Sequence, residues 1–433
     1  MKFYNLNYRS EEKNFNQVLK IGLGINKGLF FPSILPKLNN RNIEEILNLN
    51  FIDRSCYIIS LFISEKEILP NILKKKIKQA FNFPLKLVMI KENVACLELF
   101  HGPTLAFKDF GIRFMAEMLN FFNKKKIVIL TATSGDTGAA VAHAFYKKKN
   151  IEVVILYPDK KISSLQEKLF CTLGKNVKTI AIKGNFDDCQ NLIKQAFDDQ
   201  DLNNQLYLNS ANSINISRLI AQTCYYFEAF AQIPFEKRKK KIIISVPSGN
   251  FGNLTAGLIA KTLGLPIYKF IAATNINDTV PRYLKEGFWN PKQTIATLSN
   301  AMDVSSPNNW PRIIEIFNRN NWNLNMLESF SITDDITTKA IINVYKKYNY
   351  ILDPHSAVGY CAQKKQILKK DTFNIFLGTA HPSKFQDYIY NILQKKISLP
   401  KILVECKNKK NLSYKLSNNF NSFKMFLLEN FIK

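Results

Sequence analysis

The residues best suited to chemistry are one lysine among small and apolar neighbours and three turns rich in glycine and hydroxyl groups. Residues 101–111, HGPTLAFKDFG, hold Lys108, with Thr104 where it could cap an incoming helix. Desolvation disfavours the charged form of a lysine and lowers its pKa. The neutral amine can then form a Schiff base. Taken alone, a lysine beside Asp109 reads more readily as one half of a surface ion pair. The turns are TATSGDTG at 131–138, VPSGNFGN at 246–253 and LGTAHPS at 377–383. In the first, Ser134 to Gly138 opens a helix, so its backbone N–H groups and hydroxyls point at any anion there, or simply cap the helix. In the second, two glycines permit the tight backbone that a phosphate cradle requires. Neither turn is G-x-G-x-x-G or a Walker loop, which disfavours dinucleotide and nucleoside triphosphate cofactors.

These turns need rigid elements behind them, and the surrounding pattern supplies them. Residues 126–130 and 151–156 are short β-branched runs that read as buried strands, with 177–182 as a further strand. Between them, 138–146 and 165–173 read as helices, so each unit is a parallel crossover. A second copy begins with strand 242–246 and helix 254–263, and 373–377 gives one more strand. The three turns therefore follow strand ends, where open α/β sheets bind ligands, and are expected around one site. Before residue 90 the chain is less regular, with helical stretches at 43–49 and 68–81. From 407 onward it reads as a polar tail closing with a short helix.

Composition narrows the classes. The 433 residues carry a formal charge of +26, which invites a nucleic-acid reading. The lysine runs at 74–76, 124–126, 147–149 and 239–241 lie between apolar segments as solvated punctuation, so no nucleic-acid partner is expected. The excess charge still favours anionic substrates. Seven scattered cysteines without a CxxC pair suit a reducing compartment. Four histidines (His101, His143, His355 and His381) stand at no metal-ligand spacing, so no metal is expected. His143 reads as a packing residue, His101 and His381 flank the proposed site, and His355 suggests no role. No uncharged apolar run reaches the ~20 residues of a membrane span, so a cytoplasmic protein without membrane attachment is expected.

At this point the motifs become specific. The lysine segment and the three turns, with GLFFP at 28–32, LNSANSINISRL at 208–219, AATNINDTVPR at 272–282, LSNAMDVSSPNNWPR at 298–312 and LGTAHPSKF at 377–385, resemble the fold-type-II pyridoxal-phosphate enzymes, specifically the threonine synthase family. The likeness runs over essentially the whole chain. It implies an α/β fold of the tryptophan synthase β type, with parallel and mixed sheets, flanking helices and a mostly helical N-terminal domain. The expected division is 1–90 for that domain, 91–120 with 210–433 for a large cofactor-binding domain, and 121–209 for a small α/β domain.

The resemblance also implies roles. Lys108 would bind pyridoxal 5'-phosphate covalently and then shuttle protons. Gly249, Asn250, Phe251, Gly252 and Asn253 would cradle the cofactor phosphate, and Thr379 would hydrogen-bond the pyridine nitrogen, making the ring a milder electron sink than a carboxylate would. Asp136 would lie near the cofactor's 3'-oxygen and the substrate carboxylate. The implied substrate is O-phospho-L-homoserine, its phosphate held by Ser134, Thr137, Ser213 and Arg218, with Arg218 as a bidentate fork. Taken alone, Arg218 reads as a structural salt bridge. The implied reaction is a carbon-oxygen lyase step yielding L-threonine and phosphate, with no obligate protein partner. The competing readings are a fold-type-II serine or threonine dehydratase and, from another class, a basic nucleic-acid-binding protein.

Overall fold

The computed structural model describes residues 1–365 and 371–432. Two sheets carry the turns named above. The larger has six strands in the order Glu328–Ser331, Ile267–Thr274, Lys241–Pro247, Thr372–Gly378, Val94–Glu98 and Lys86–Lys91. All neighbours are parallel except the last pair, which is antiparallel. The smaller has five parallel strands in the order Tyr414–Ser417, Val177–Lys183, Ile151–Pro158, Ile127–Ala132 and Leu208–Ser210. The central strands read as unbroken apolar runs because helices cover both their faces; every residue of Ile127–Ala132 is buried.

One expectation needs correction and two gain detail. The N-terminal region is mostly helical, as expected, and adds a three-stranded antiparallel sheet of Glu12–Lys13, Phe3–Asn5 and Phe30–Pro32. Phe3, Phe30 and Phe31 are fully buried there, and Phe3 packs on Phe15 of helix Phe15–Ile21 with ring centroids 6.3 Å apart. The strand Lys86–Lys91 straddles the expected boundary at residue 90, and its hydrogen bonds go to the large sheet. The C-terminal stretch is no tail, because Tyr414–Ser417 extends the small sheet and helix Phe420–Phe431 buries Phe423, Leu427 and Phe431 against it. Polar composition hid this, since only every third or fourth residue of that helix faces the core.

Two helices bring the functional ends together. Lys108–Phe122 begins at Lys108, and Ile216–Gln232 has Arg218 in its first turn. They pack side by side through Gly111, where an added Cβ would stand 3.0 Å from the Arg218 carbonyl oxygen and 3.2 Å from its Cα. Beside Gly111, Phe110 meets Tyr225 edge to face with centroids 5.3 Å apart. A Cβ here would be tighter against Arg218 than most side-chain contacts, so glycine lets the two helix starts lie this close.

Gly111→Val should therefore overpack the crossing and cost about 1–3 kcal/mol. Urea unfolding should show a lower midpoint with an unchanged slope; an unaltered midpoint would show that the crossing is slack.

Candidate active site

The three turns converge as their places at strand ends require. Ala132, Thr133, Ser134, Asp136 and Thr137 of the first turn, Pro247 and residues 249–253 of the second and Thr379 of the third line one cleft with Phe107, Lys108, Asn212, Ser213, Arg218 and the segment 301–304. All twelve residues singled out from the sequence line it: Lys108, Ser134, Asp136, Thr137, Ser213, Arg218, Gly249, Asn250, Phe251, Gly252, Asn253 and Thr379.

Each turn is built for closeness. Gly135 adopts φ 137°, and the Thr133 hydroxyl accepts from the N–H groups of Gly135 at 2.9 Å and Gly138 at 2.8 Å. Thr133 thus caps helix Asp136–Phe145. That duty does not fall to Ser134 or Thr137. At the second turn Phe251 is left-handed, with φ 59° and ψ 7°, and helix Gly252–Thr262 starts behind it. A Cβ on Gly249 would meet Met302 Cα at 2.8 Å, so no other residue fits. Asn309 donates from Nδ2 to the Asn250 carbonyl at 3.0 Å and to the Ser213 hydroxyl at 3.2 Å, tying this turn to the segment before Arg218. Arg312, fully buried, donates to the carbonyls of Ser213, Ile214 and Phe30. The GLFFP strand therefore braces the site from behind.

The lysine loop is clamped to the third turn by its backbone. Phe107 N–H donates to the Thr379 carbonyl at 3.0 Å and His381 N–H to the Leu105 carbonyl at 3.0 Å. Thr104 does not cap the helix. Its N–H and hydroxyl instead donate to the two oxygens of Asp109 at 2.8 and 2.7 Å, so that carboxylate is turned away from Lys108. Burial still pushes the Asp109 carboxyl up to about 6. The ion-pair reading of Lys108 fails with this geometry.

The electrostatics of the cleft are those of cations short of partners. Desolvation lowers the Lys108 amine to about 8; Asp136 opposes that shift, while Arg218 and Lys384 reinforce it. Burial lowers the Arg218 guanidinium to about 10. Among the described residues it has no carboxylate within ion-pair distance: one nitrogen donates to the Ala211 carbonyl at 2.9 Å, and Nε has no partner. Asn253 Oδ1 accepts from Tyr225 and Tyr226 at 2.6 and 2.7 Å, which leaves its Nδ2 buried and unpaired. An unmet buried donor costs about 1–3 kcal/mol, so a site retaining two is shaped for acceptors a ligand brings.

Sequence reasoning missed several residues. Lys384 is wholly buried and its ammonium lies 2.6 Å from Asp136 Oδ1. His355 lines the cleft, with Nδ1 2.8 Å from Asp353 and Nε2 3.2 Å from the Ala301 N–H. Gln166 donates to Asp136 at 3.2 Å. The signal for Lys384 was a lone charge within the small and apolar run LGTAHPSKF. For His355 the sequence carried none. His101 instead pairs with Glu98 at 2.8 Å, His381 bonds Ser383 at 2.6 Å, and His143 packs with a bond to the Leu169 carbonyl at 2.8 Å.

The donors fit a small phosphate-bearing aldehyde: an amine of lowered basicity, a glycine-walled turn at a helix N-terminus, and unmet N–H groups. Comparison with known proteins agrees. Residues 89–375 match the family described as pyridoxal-phosphate dependent enzyme. Residues 2–81 match threonine synthase N terminus, and 356–426 match threonine synthase, C-terminal. The chain is 57% identical to the threonine synthase of Buchnera aphidicola subsp. Schizaphis graminum over 433 residues, 99% of this chain and all of that one. The crystal structure of threonine synthase from Escherichia coli superposes with a TM-score of 0.95 at 54% identity, covering 99% of this chain and 100% of that one. The pyridoxal-phosphate-bound threonine synthase from Brucella melitensis does so with a TM-score of 0.91 at 30% identity, with 99% of both chains covered. Taken with the cleft, these likenesses place the protein in the threonine synthase family of pyridoxal-phosphate-dependent enzymes.

Proposed function

We propose that the chain converts O-phospho-L-homoserine and water to L-threonine and phosphate, the last step of threonine formation. The observation that carries this reading is the second unpaired donor. A bound cofactor phosphate at the turn 249–253 would meet Asn253 Nδ2, yet Arg218 Nε would still lack an acceptor. A dehydratase substrate has no phosphate to offer it; a phosphorylated substrate does. The same cleft contains the hydroxyls of Ser134, Thr137 and Ser213, none of them needed for the Thr133 cap.

On this reading Gly249, Asn250, Phe251, Gly252 and Asn253 would hold the cofactor phosphate, Thr379 would bond the pyridine nitrogen, and Asp136 would lie by the cofactor's 3'-oxygen and the substrate carboxylate. When bound, pyridoxal phosphate supplies the electron sink that makes a carbanion next to the amino group accessible. Lys108 Nζ would take the Cα proton, give it up again, and then take a Cβ proton that it returns at Cγ once the phosphate has left; a basicity near neutral pH suits each transfer. Arg218, Ser213, Ser134 and Thr137 grip the departing phosphate. Its fixed charge lets the fork stabilise the bond as it breaks at Cγ. Water then adds at Cβ, with the retained phosphate placed to accept its proton.

We further propose three structural units, with Lys86–Lys91 counted in the large one and Tyr414–Ser417 and the final helix in the small one. No helix among the described residues is long and apolar enough to cross a membrane. We assign the enzyme to the cytoplasm, acting without a metal, a nucleic acid or an obligate protein partner.

Lys108→Ala should abolish turnover and the visible band of the bound cofactor near ~410 nm. Incubation with O-phospho-L-homoserine should release inorganic phosphate and threonine together; ketoacid and ammonia in their place would favour a dehydratase. Arg218→Ala should raise KM for the phosphorylated substrate by roughly 10–150-fold, the worth of one charged hydrogen bond, while leaving cofactor content intact. Cofactor-stripped protein should retake pyridoxal phosphate faster as pH rises through about 8, because the protonated amine cannot attack. A rate independent of pH in that window would count against a desolvated Lys108.

A further inference from the structure

Lys384 sits in the short turn Pro382–Phe385 that follows the strand bearing Thr379. Its side chain is inaccessible to solvent, and its ammonium meets three acceptors: Asp136 Oδ1 at 2.6 Å and the carbonyls of Thr104 at 2.9 Å and Leu105 at 3.5 Å. That satisfies the three donors of an ammonium. Each acceptor lies on a different wall from Lys384 itself: Asp136 opens a helix on the small sheet, and Leu105, with φ +58°, belongs to the strained loop before Lys108.

A strut would not need a charge. The lysine loop is already fixed to the third turn by two backbone hydrogen bonds and the bridge between Ala106 and Ala380. A buried ion pair is moreover no efficient source of stability, since apolar replacements of similar volume often do as well. What Lys384 uniquely supplies is a positive charge against Asp136. We propose that Lys384 is a positioning residue for the reaction, which keeps the Asp136 carboxylate ionised and pinned in the cleft where it faces Lys108.

The charges around the pair support this. Burial alone would raise the Asp136 carboxyl; Lys384 first, then Lys108 and His355, more than offset that and hold it well below the usual carboxylate range. The groups facing Lys108 are Asp136, Arg218 and Lys384, so Asp136 is the anion among three cations. Gln166, the remaining partner of Asp136, is neutral and cannot replace the charge. With Lys384 neutral, the carboxyl would take up a proton at higher pH and would no longer offset the other cations at Lys108.

The inference rests on Lys108 being the cofactor lysine, and its test can fail separately from that assignment. Lys384→Met, Asp136→Asn and the double variant are prepared as cofactor-loaded full-length protein. The protonated-carboxyl infrared band is followed with pH, as the difference between Lys384→Met and the double variant. We expect this band in Lys384→Met at a pH where the wild type lacks it. We expect kcat with O-phospho-L-homoserine to fall on the order of tenfold or more at neutral pH. It should recover as pH rises through the range where the band disappears. The double variant should regain most of the unfolding midpoint lost in each single one. Lys384→Gln, which keeps donors to the two carbonyls without the charge, is the variant to use if Lys384→Met does not fold. A loss of kcat independent of pH, absence of the band, or a double variant as unstable as the sum of the singles would overturn the proposal. If turnover of O-phospho-L-homoserine is absent from the wild type but the band behaves as expected, the substrate is wrong and the role of Lys384 in charging Asp136 stands.

Discussion

The near contact of Gly111 with the backbone of Arg218 is the constraint from which the site's arrangement follows. Two helices that start in the same cleft must cross at a fixed separation for one to deliver an amine and the other a guanidinium. A side chain at the crossing would press on the backbone of Arg218. The sheet behind each helix contributes the rest: strands end at the same level, so their turns form a single rim. Deeper still, Arg312 links Phe30 of the N-terminal sheet to the segment carrying Ser213. A residue far from the chemistry in sequence thereby holds the wall against which a phosphate would press.

That cleft keeps its polar groups under tension. Arg218 and Lys384 are buried and Lys108 is partly so, and Asp136 is the carboxylate set among them. Folding tolerates such an arrangement only because carbonyls and a single ion pair take up part of the demand; the remainder is left for a ligand. A buried donor without a partner in the protein costs stability, and it is where an acceptor on a ligand gains most.

The sequence was legible where function and local structure coincide. Strands 126–130, 151–156 and 177–182 were readable from runs of β-branched residues, because strands buried on both faces carry no competing pattern. The turns were readable from glycine and hydroxyl content, and the family from motifs that overlap them. What stayed hidden depends on distant partners. Nothing near Lys384 tells that Asp136, some 250 residues earlier, lies beside it, and His355 gains a place in the cleft only through Asp353 and Ala301. Thr104 was misread because a local capping rule was applied where a buried carboxylate, Asp109, competes for the same donors. The N-terminal sheet was missed for a simpler reason: strands of two and three residues are too short to show an alternation.

The strand Tyr414–Ser417 has a bearing on how the molecule is made. It covers the outer edge of Val177–Lys183, yet it leaves the ribosome more than two hundred residues after that strand. Throughout that interval the small sheet has an open parallel edge, and Ile180 and Ile182 await the apolar face of the last helix. An uncovered edge is a template for pairing with another chain. The nascent protein is therefore most exposed to aggregation at its small sheet, and a truncated product lacking only its end would keep every group in the cleft while losing protection against its own copies.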